Sequence, residues 1–408
     1  MQSQSQSPAV EMSELFPYVQ GPALRTSQAH DKALEVTWDN ADTARYSYRW
    51  LRDHCACPEC RHPMTRERLY KPLEDENFLN AHPEAAVEDG VLVLRWADGH
   101  ESRFDAGWLH QRRPETHIDD GVPRAAAWPE GFTPAHVPHA EMMGGNQGRR
   151  EWLTALLRDG LVLLDDGPRE LEEVVRIAEL FGPMRATNFG ARFDVQSKPN
   201  PNNAAYTAIG LELHSDLPNW RHPPDIQLLY CLENEAEGGE SLFADGFAVA
   251  EALRHEAPDV FLRLRDTPID FRFQDEDSDI AVRAPVIDVD DTGRLREIRF
   301  NNWIRDTLRL PPEEADAWYE AYLIFWQRLR EPRFRVDFAL EPGQMVAFDN
   351  RRVLHGRGAF DPNTGRRHLQ GTYLDIDHLE SHLRVLARHA STAAPATPTT
   401  STNETGVS

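Results

Sequence analysis

Three side chains with metal-binding chemistry stand out in this chain: His214 and Asp216, separated by one serine, and His355 far downstream. Two imidazoles and one carboxylate can occupy one face of an octahedral iron(II), leaving three positions for a chelating cosubstrate and dioxygen. Arg367 follows His355 by twelve residues. It could reach back across a hairpin and hold a distal carboxylate of the cosubstrate through a bidentate, charge-assisted pair. These four residues are the set that an iron oxygenase using 2-oxoglutarate requires. The HxD spacing alone is weak, because short motifs arise by chance. The plain alternative is a surface His–Asp pair and an unrelated loop histidine.

The elements that must position these groups favour the chemical reading. His214 and Asp216 lie just before the apolar run Ile226–Leu232, which has strand length. Met345–Asp349 is another short strand, and His355 sits in the loop that follows it. Arg367 opens a further strand ending at Leu374. All four residues therefore fall at strand ends and loops of an antiparallel framework, where a jelly roll places its pocket.

A second cluster lies near the start. Cys55, Cys57 and Cys60 form CxCxxC, and one more ligand would close a tetrahedral zinc site. The histidines within reach are His54, His62, His82, His100 and His110. His100 is best placed, because Val91–Trp96 and Glu101–Phe104 flank it as a hairpin whose turn can present a ligand. A redox dithiol or three free thiols are the alternatives. Cys231, inside an apolar strand, reads as buried filler. The expected fold is thus mainly β with flanking helices: a double-stranded β-helix, or jelly roll, preceded by a small β-rich zinc-binding domain.

The chain has 408 residues, enough for two domains. With 44 basic against 67 acidic side chains its formal charge is −23, which argues against general binding to nucleic acid or to an anionic membrane surface. No disulfide framework, signal peptide or membrane span is visible, so a cytoplasmic location is expected. The expected organisation is a mobile N-terminus (1–18), the zinc-binding domain (19–113), a Pro-rich linker (114–140), the jelly roll (141–390) and a disordered tail (391–408). Helices are expected over Arg149–Arg158, stopped by Gly160, over Pro168–Phe181 and over Glu313–Leu329. In the second, Leu171, Val174, Val175, Ala178 and Phe181 read as core. The aromatic stripe of the third can pack against a sheet or form a homodimer contact.

An ordered series of motifs resembles the gamma-butyrobetaine dioxygenases: Asn202–Thr207, His214–Asp216, Gly238–Ser241, Asp245–Phe247, Phe300–Asn302, Asp349-Asn350, Leu354–Arg357 and Arg367–Gly371, within a likeness from about residue 45 to 390. The resemblance implies iron ligands His214, Asp216 and His355, Arg367 on the 2-oxoglutarate C5 carboxylate and Ser241 near the cosubstrate. It implies zinc on Cys55, Cys57, Cys60 and His100. It also implies a trimethylammonium cage of Phe189, Phe193, Tyr206 and Tyr373, with Asn203 and Asn301 near the substrate carboxylate. Aromatic faces suit a cation that cannot hydrogen-bond. Phe189 and Phe193 stand where the animal pattern has Tyr and Trp. The implied reaction is C3 hydroxylation of gamma-butyrobetaine to L-carnitine, with succinate and CO2 as coproducts and ascorbate as an accessory reductant. A hydroxylase of trimethyllysine or another small betaine is the related alternative. A non-catalytic zinc-containing interaction protein is the alternative of another class.

Overall fold

The structure, a computed structural model, describes residues 10–14, 21–114, 116, 120–196 and 207–393. The chain divides after Asp120 into two compact units.

In the first unit, β1 (Leu24–Ala29), β2 (Ala33–Trp38) and β3 (Thr43–Ser47) form one antiparallel sheet, followed by α1 (Tyr48–Asp53). A second sheet holds β4 (Glu84–Glu88), β5 (Val91–Arg95) and β6 (Glu101–Phe104), and α2 (Ala106–Gln111) follows. Strand alternation puts Leu34, Val36 and Trp38 in the core. Met12 is also buried there, and Glu14 accepts from Trp108 Nε1 at 3.1 Å. Residues 10–14 are therefore anchored, unlike the mobile segment expected for 1–18; the rest of that segment, apart from its neighbours Val10 to Glu14, lies outside the described residues.

The second unit opens with β7 (Ala135–Pro138), α3 (His139–Gly144), α4 (Asn146–Asp159), β8 (Leu161–Asp165), α5 (Glu173–Glu179), β9 (Arg192–Val195) and β10 (Leu211–His214). Next come β11 (Ile226–Asn234), β12 (Glu237–Gly238), β13 (Ser241–Asp245), α6 (Gly246–Glu256), α7 (Pro258–Asp266) and the hairpins β14 (Ile269–Gln274) with β15 (Asp279–Ala284) and β16 (Ile287–Val289) with β17 (Leu295–Ile298). It closes with α8 (Pro312–Leu329), β18 (Arg335–Phe338), β19 (Met345–Asp349), β20 (Val353–Arg357), β21 (Phe360–Asp361), β22 (Arg367–Leu374) and α9 (Ile376–Ala393).

A six-stranded sheet runs β7-β8-β19-β11-β22-β9, and a four-stranded sheet runs β10-β20-β13-β18. Alternation along the central strands builds a layer on each side of the larger sheet. Val162, Leu164, Ile226, Leu228, Met345 and Ala347 pack with α4, α5 and α9. Leu161, Leu163, Cys231, Val346 and Phe348 instead join Phe243 and Val353 of the smaller sheet. Two sheets facing one another over that second layer, with helices outside, make a jelly roll. Cys231 is filler in the layer between them.

Three further expectations need correction. The proposed linker is built in from Gly121 onward: β7 pairs with β8 in parallel, and buried Trp128 donates from Nε1 to the Asp159 carbonyl at 2.6 Å. Only Pro138 of its prolines lies within a strand, and β7 is an edge strand, where proline is tolerated. The helix expected from Pro168 begins only at Glu173, because Glu172 takes φ +67° and breaks the turn, leaving Leu171 63% exposed. The expected disordered tail is helical through Ala393, and its remainder lies outside the described residues. The α8 stripe, including Trp318, Tyr322 and Phe325, is buried against α6 and α7 and Phe300.

Candidate active site and second metal centre

The antiparallel pairing of β10 with β20 sets His214 directly opposite His355, with ring centroids 4.3 Å apart. Both side chains are buried. His214 Nδ1–H donates to the Glu212 carbonyl at 2.8 Å, which fixes the tautomer and leaves Nε2 as a donor to metal. The Trp303 ring stands edge-on to it, at 5.0 Å and 85°. Asp216, two residues beyond the end of the strand, turns Oδ1 to 3.4 Å from His214 Nε2 and Oδ2 to 3.7 Å from His355 Nε2. Its Oδ2 accepts from the Tyr373 hydroxyl at 2.7 Å. The three donor atoms lie within 4.8 Å of one another.

Burial and the neighbouring His214 push His355 down to about 3, so it is a neutral imidazole with a lone pair available to a cation. Burial opposes the Asp216 charge, but the two histidines and the Tyr373 hydroxyl hold its carboxyl well below the usual carboxylate range. Neutral imidazoles and an ionised carboxylate are the donor set a divalent iron takes. Arg367 also lines the cavity, and burial lowers its pKa. Its guanidinium has no hydrogen-bond or ion-pair partner among the described residues, and Nε is fully buried. Burying an unpaired cation is costly, and the far carboxylate of a dicarboxylic acid would relieve that cost. Both groups therefore fit the residues present.

The cavity has a volume of about 310 Å³ and is also lined by Ser241, Phe189, Phe193, Tyr373 and Asn301. Phe193 and Tyr373 lie 5.2 Å apart, centroid to centroid. Gly371 makes this arrangement possible: a Cβ there would come within 2.4 Å of the Phe193 ring. Asn203 and Tyr206 fall outside the described residues. Asn301 spends its Oδ1 on the backbone N–H groups of Trp303 (2.9 Å) and Ile304 (3.3 Å), and its Nδ2 donates to the Ser215 carbonyl at 3.4 Å, so at most one amide N–H is left for a ligand. Sequence reasoning missed Trp303 and Phe273, both lining the cavity; Phe273 meets Phe189 edge-on at 5.6 Å. The adjacency of Trp303 to the Phe300–Asn302 motif was an available signal. Phe273, on a separate hairpin, offered none.

The profile of the family described as taurine catabolism dioxygenase TauD, TfdA family, matches residues 130–373. The gamma-butyrobetaine hydroxylase-like N-terminal profile matches residues 25–110. The gamma-butyrobetaine dioxygenase of Pseudomonas sp. (strain AK-1) is 39% identical over 377 residues, covering 91% of this chain and 98% of its own. This chain belongs to the gamma-butyrobetaine dioxygenase family. The human gamma-butyrobetaine dioxygenase is 31% identical, over 89% of this chain and 97% of its own length. The mitochondrial trimethyllysine dioxygenase of Gallus gallus is also 31% identical, over 89% and 88%. Membership makes this protein a 2-oxoglutarate-dependent dioxygenase that uses iron(II), and the jelly roll of the second unit is the fold of that family.

In the first unit, Cys55, Cys57, Cys60 and His100 converge. The three sulfurs lie 3.3, 3.7 and 3.6 Å from His100 Nε2. Zinc–sulfur and zinc–nitrogen bonds of ordinary length in a tetrahedron separate S from N by about 3.6 Å, so the cluster has the dimensions of a closed site. His100 follows a turn in which Gly99 takes φ +85°, and its N–H is held by Asp98 Oδ1 at 2.9 Å. Arg52, stacked 3.9 Å over the Tyr70 ring, donates to Cys60 Sγ at 3.3 Å. The Cys55 hydrogen bond, with help from Arg52 and against burial, pushes the Cys60 thiol well below its ordinary value. No helix among the described residues is long and apolar enough to cross a membrane.

Proposed function

We propose that this protein hydroxylates gamma-butyrobetaine, 4-trimethylammoniobutanoate, at C3 to give L-carnitine, with succinate and CO2 as coproducts. His214, Asp216 and His355 hold the iron, Arg367 clamps the C5 carboxylate of 2-oxoglutarate with Ser241 beside it, and Phe189, Phe193 and Tyr373 face the substrate cation. Cys55, Cys57, Cys60 and His100 hold a structural zinc. Iron(II) and 2-oxoglutarate, when bound, supply the oxidising chemistry that activates dioxygen.

The observation that carries the substrate assignment is the double use of Tyr373. Its hydroxyl is bonded to the Asp216 carboxylate while its ring packs beside Phe193. In gamma-butyrobetaine, C3 lies only two bonds from the quaternary nitrogen, so a ring that attracts the cation must sit beside the metal. Tyr373 does. The aromatic walls then select a group with positive charge and no N–H, and they exclude water from the reacting carbon. Aim matters here, since a displacement of an ångström can cost about 100-fold in rate.

The test compares gamma-butyrobetaine with its neutral isostere, in which carbon replaces the quaternary nitrogen. The charged compound should be favoured by about 0.5–2 kcal/mol in kcat/KM, and Phe193→Trp should widen that margin. Equal efficiency on both would remove the betaine assignment and leave the oxygenase assignment standing. Faster turnover of trimethyllysine would move the protein to that branch.

A further inference from the structure

One buried side chain ties the two halves of the His–Asp–His centre together without lining the cavity. Asn350 sits in the turn between β19 and β20, 1% exposed. Its Oδ1 accepts the Asp216 N–H at 2.6 Å, and its Nδ2 donates to the Asp216 carbonyl at 3.0 Å and the Pro224 carbonyl at 2.9 Å. Its own N–H donates to the Asp225 carbonyl at 2.7 Å. A single amide thus grips both backbone polar groups of Asp216 from a position five residues before His355.

The loop it grips needs a restraint. Leu217, immediately after Asp216, takes φ +53°, a left-handed conformation that an L side chain enters only at a cost in free energy. On the other flank, Ser215 N–H donates to the Phe300 carbonyl at 2.7 Å, and Ser215 Oγ accepts the Phe300 N–H at 3.0 Å. With Asn350 on one side and Phe300 on the other, the Asp216 backbone is held at both ends. Only its side-chain rotors remain, and Tyr373 fixes those.

We infer that Asn350 is a positioning residue for the iron: its amide holds the Asp216 backbone where the carboxylate completes the face begun by His214 and His355. The inference rests on the ligand assignment above. Ligands already in place lose less freedom when the ion binds. Loss of an outer partner of this kind typically costs about 10- to 100-fold in metal affinity.

The experiment is anaerobic Fe(II) titration of the full, zinc-loaded chain. Asn350→Ala removes every side-chain bond, whereas Asn350→Asp keeps the acceptor for the Asp216 N–H and loses the paired amide donors. Both should raise the Fe(II) Kd, Asn350→Ala by about 10- to 100-fold, and in an Asp216→Ala background Asn350→Ala should add nothing. A folded Asn350 variant that binds Fe(II) within twofold of wild type, or an undiminished extra loss in the Asp216→Ala background, overturns the inference. Hydrogen exchange on the unsubstituted, iron-free protein supplies a further arm: the Asp216 amide should be as protected as the amides of β19, and exchange at the rate of an exposed loop amide also overturns it. The underlying ligand assignment fails separately, if Asp216→Ala alone binds Fe(II) like wild type.

Discussion

Arg367→Met offers a perturbation whose effects on the empty and the loaded protein have opposite signs. Within the cavity the guanidinium is desolvated, without a hydrogen-bond or ion-pair partner among the described residues, and it shares the cavity with Arg357. Arg357 is itself pushed down to about 10 by burial and by the Arg367 charge. Replacing Arg367 with an uncharged chain of similar length therefore removes a cost that only the Phe360 ring, 5.6 Å from the guanidinium carbon, offsets in part, and the ligand-free protein should be no less stable than wild type. Binding should suffer. A hydrogen bond to a charged group contributes about 1.5–3 kcal/mol, so the Kd for 2-oxoglutarate should rise about 10- to 150-fold. At a ligand concentration of 100 wild-type Kd, the stabilisation by 2-oxoglutarate is about 2.7 kcal/mol, and a 30-fold weaker variant would keep only about 0.9 kcal/mol. Anaerobic titration calorimetry and thermal melts with and without ligand read both quantities. 2-Oxopentanoate, which lacks the far carboxylate, is the control, and its binding should hardly change. Equal losses for the two acids, or an unaltered 2-oxoglutarate Kd, would refute the clamp. The latter result would turn attention to Arg357, although its Nη2 is already engaged by the Thr207 and Ile209 carbonyls at 2.8 and 2.9 Å.

Asp216→Ala or His214→Ala should abolish dioxygen use and 2-oxoglutarate decarboxylation while far-ultraviolet circular dichroism stays unchanged, and coupled turnover at the wild-type rate would remove that residue from the ligand set. Cys55→Ser or His100→Ala should release zinc and lower the melting temperature, because a structural metal contributes directly to folding; elemental analysis of carefully prepared wild-type protein that finds no zinc would end that proposal. Removal from water pushes the Asp349 carboxyl up to about 6, above its unfolded value of about 3.9. The native state then binds the extra proton, so this group makes stability fall as pH rises from about 4 to about 6. Asp349→Asn should flatten that part of the stability profile, and a profile identical to wild type across the window would contradict the assignment.

The donor chemistry of both candidate metal clusters was legible in the sequence because it is carried by residue type and short spacing. CxCxxC and HxD bring ligands together through local chain geometry, and the apolar runs at Ile226 and Met345 marked central strands whose alternation builds the two layers. Contacts across sheets were not legible in the same way. His214 ends a four-residue strand too short to announce itself by period, and its place opposite His355 follows from the register of β10 on β20. The Tyr373 bond to Asp216, the Asn350 grip on the same residue and the approach of Phe273 to Phe189 all join segments distant in the chain. The Pro-rich stretch misled for a related reason: proline content reports the absence of N–H donors, whereas membership of a sheet edge depends on what lies beside the strand. Residue type sets which atoms can bind a metal or a cation, and tertiary packing alone sets the distances and burial at which they do so.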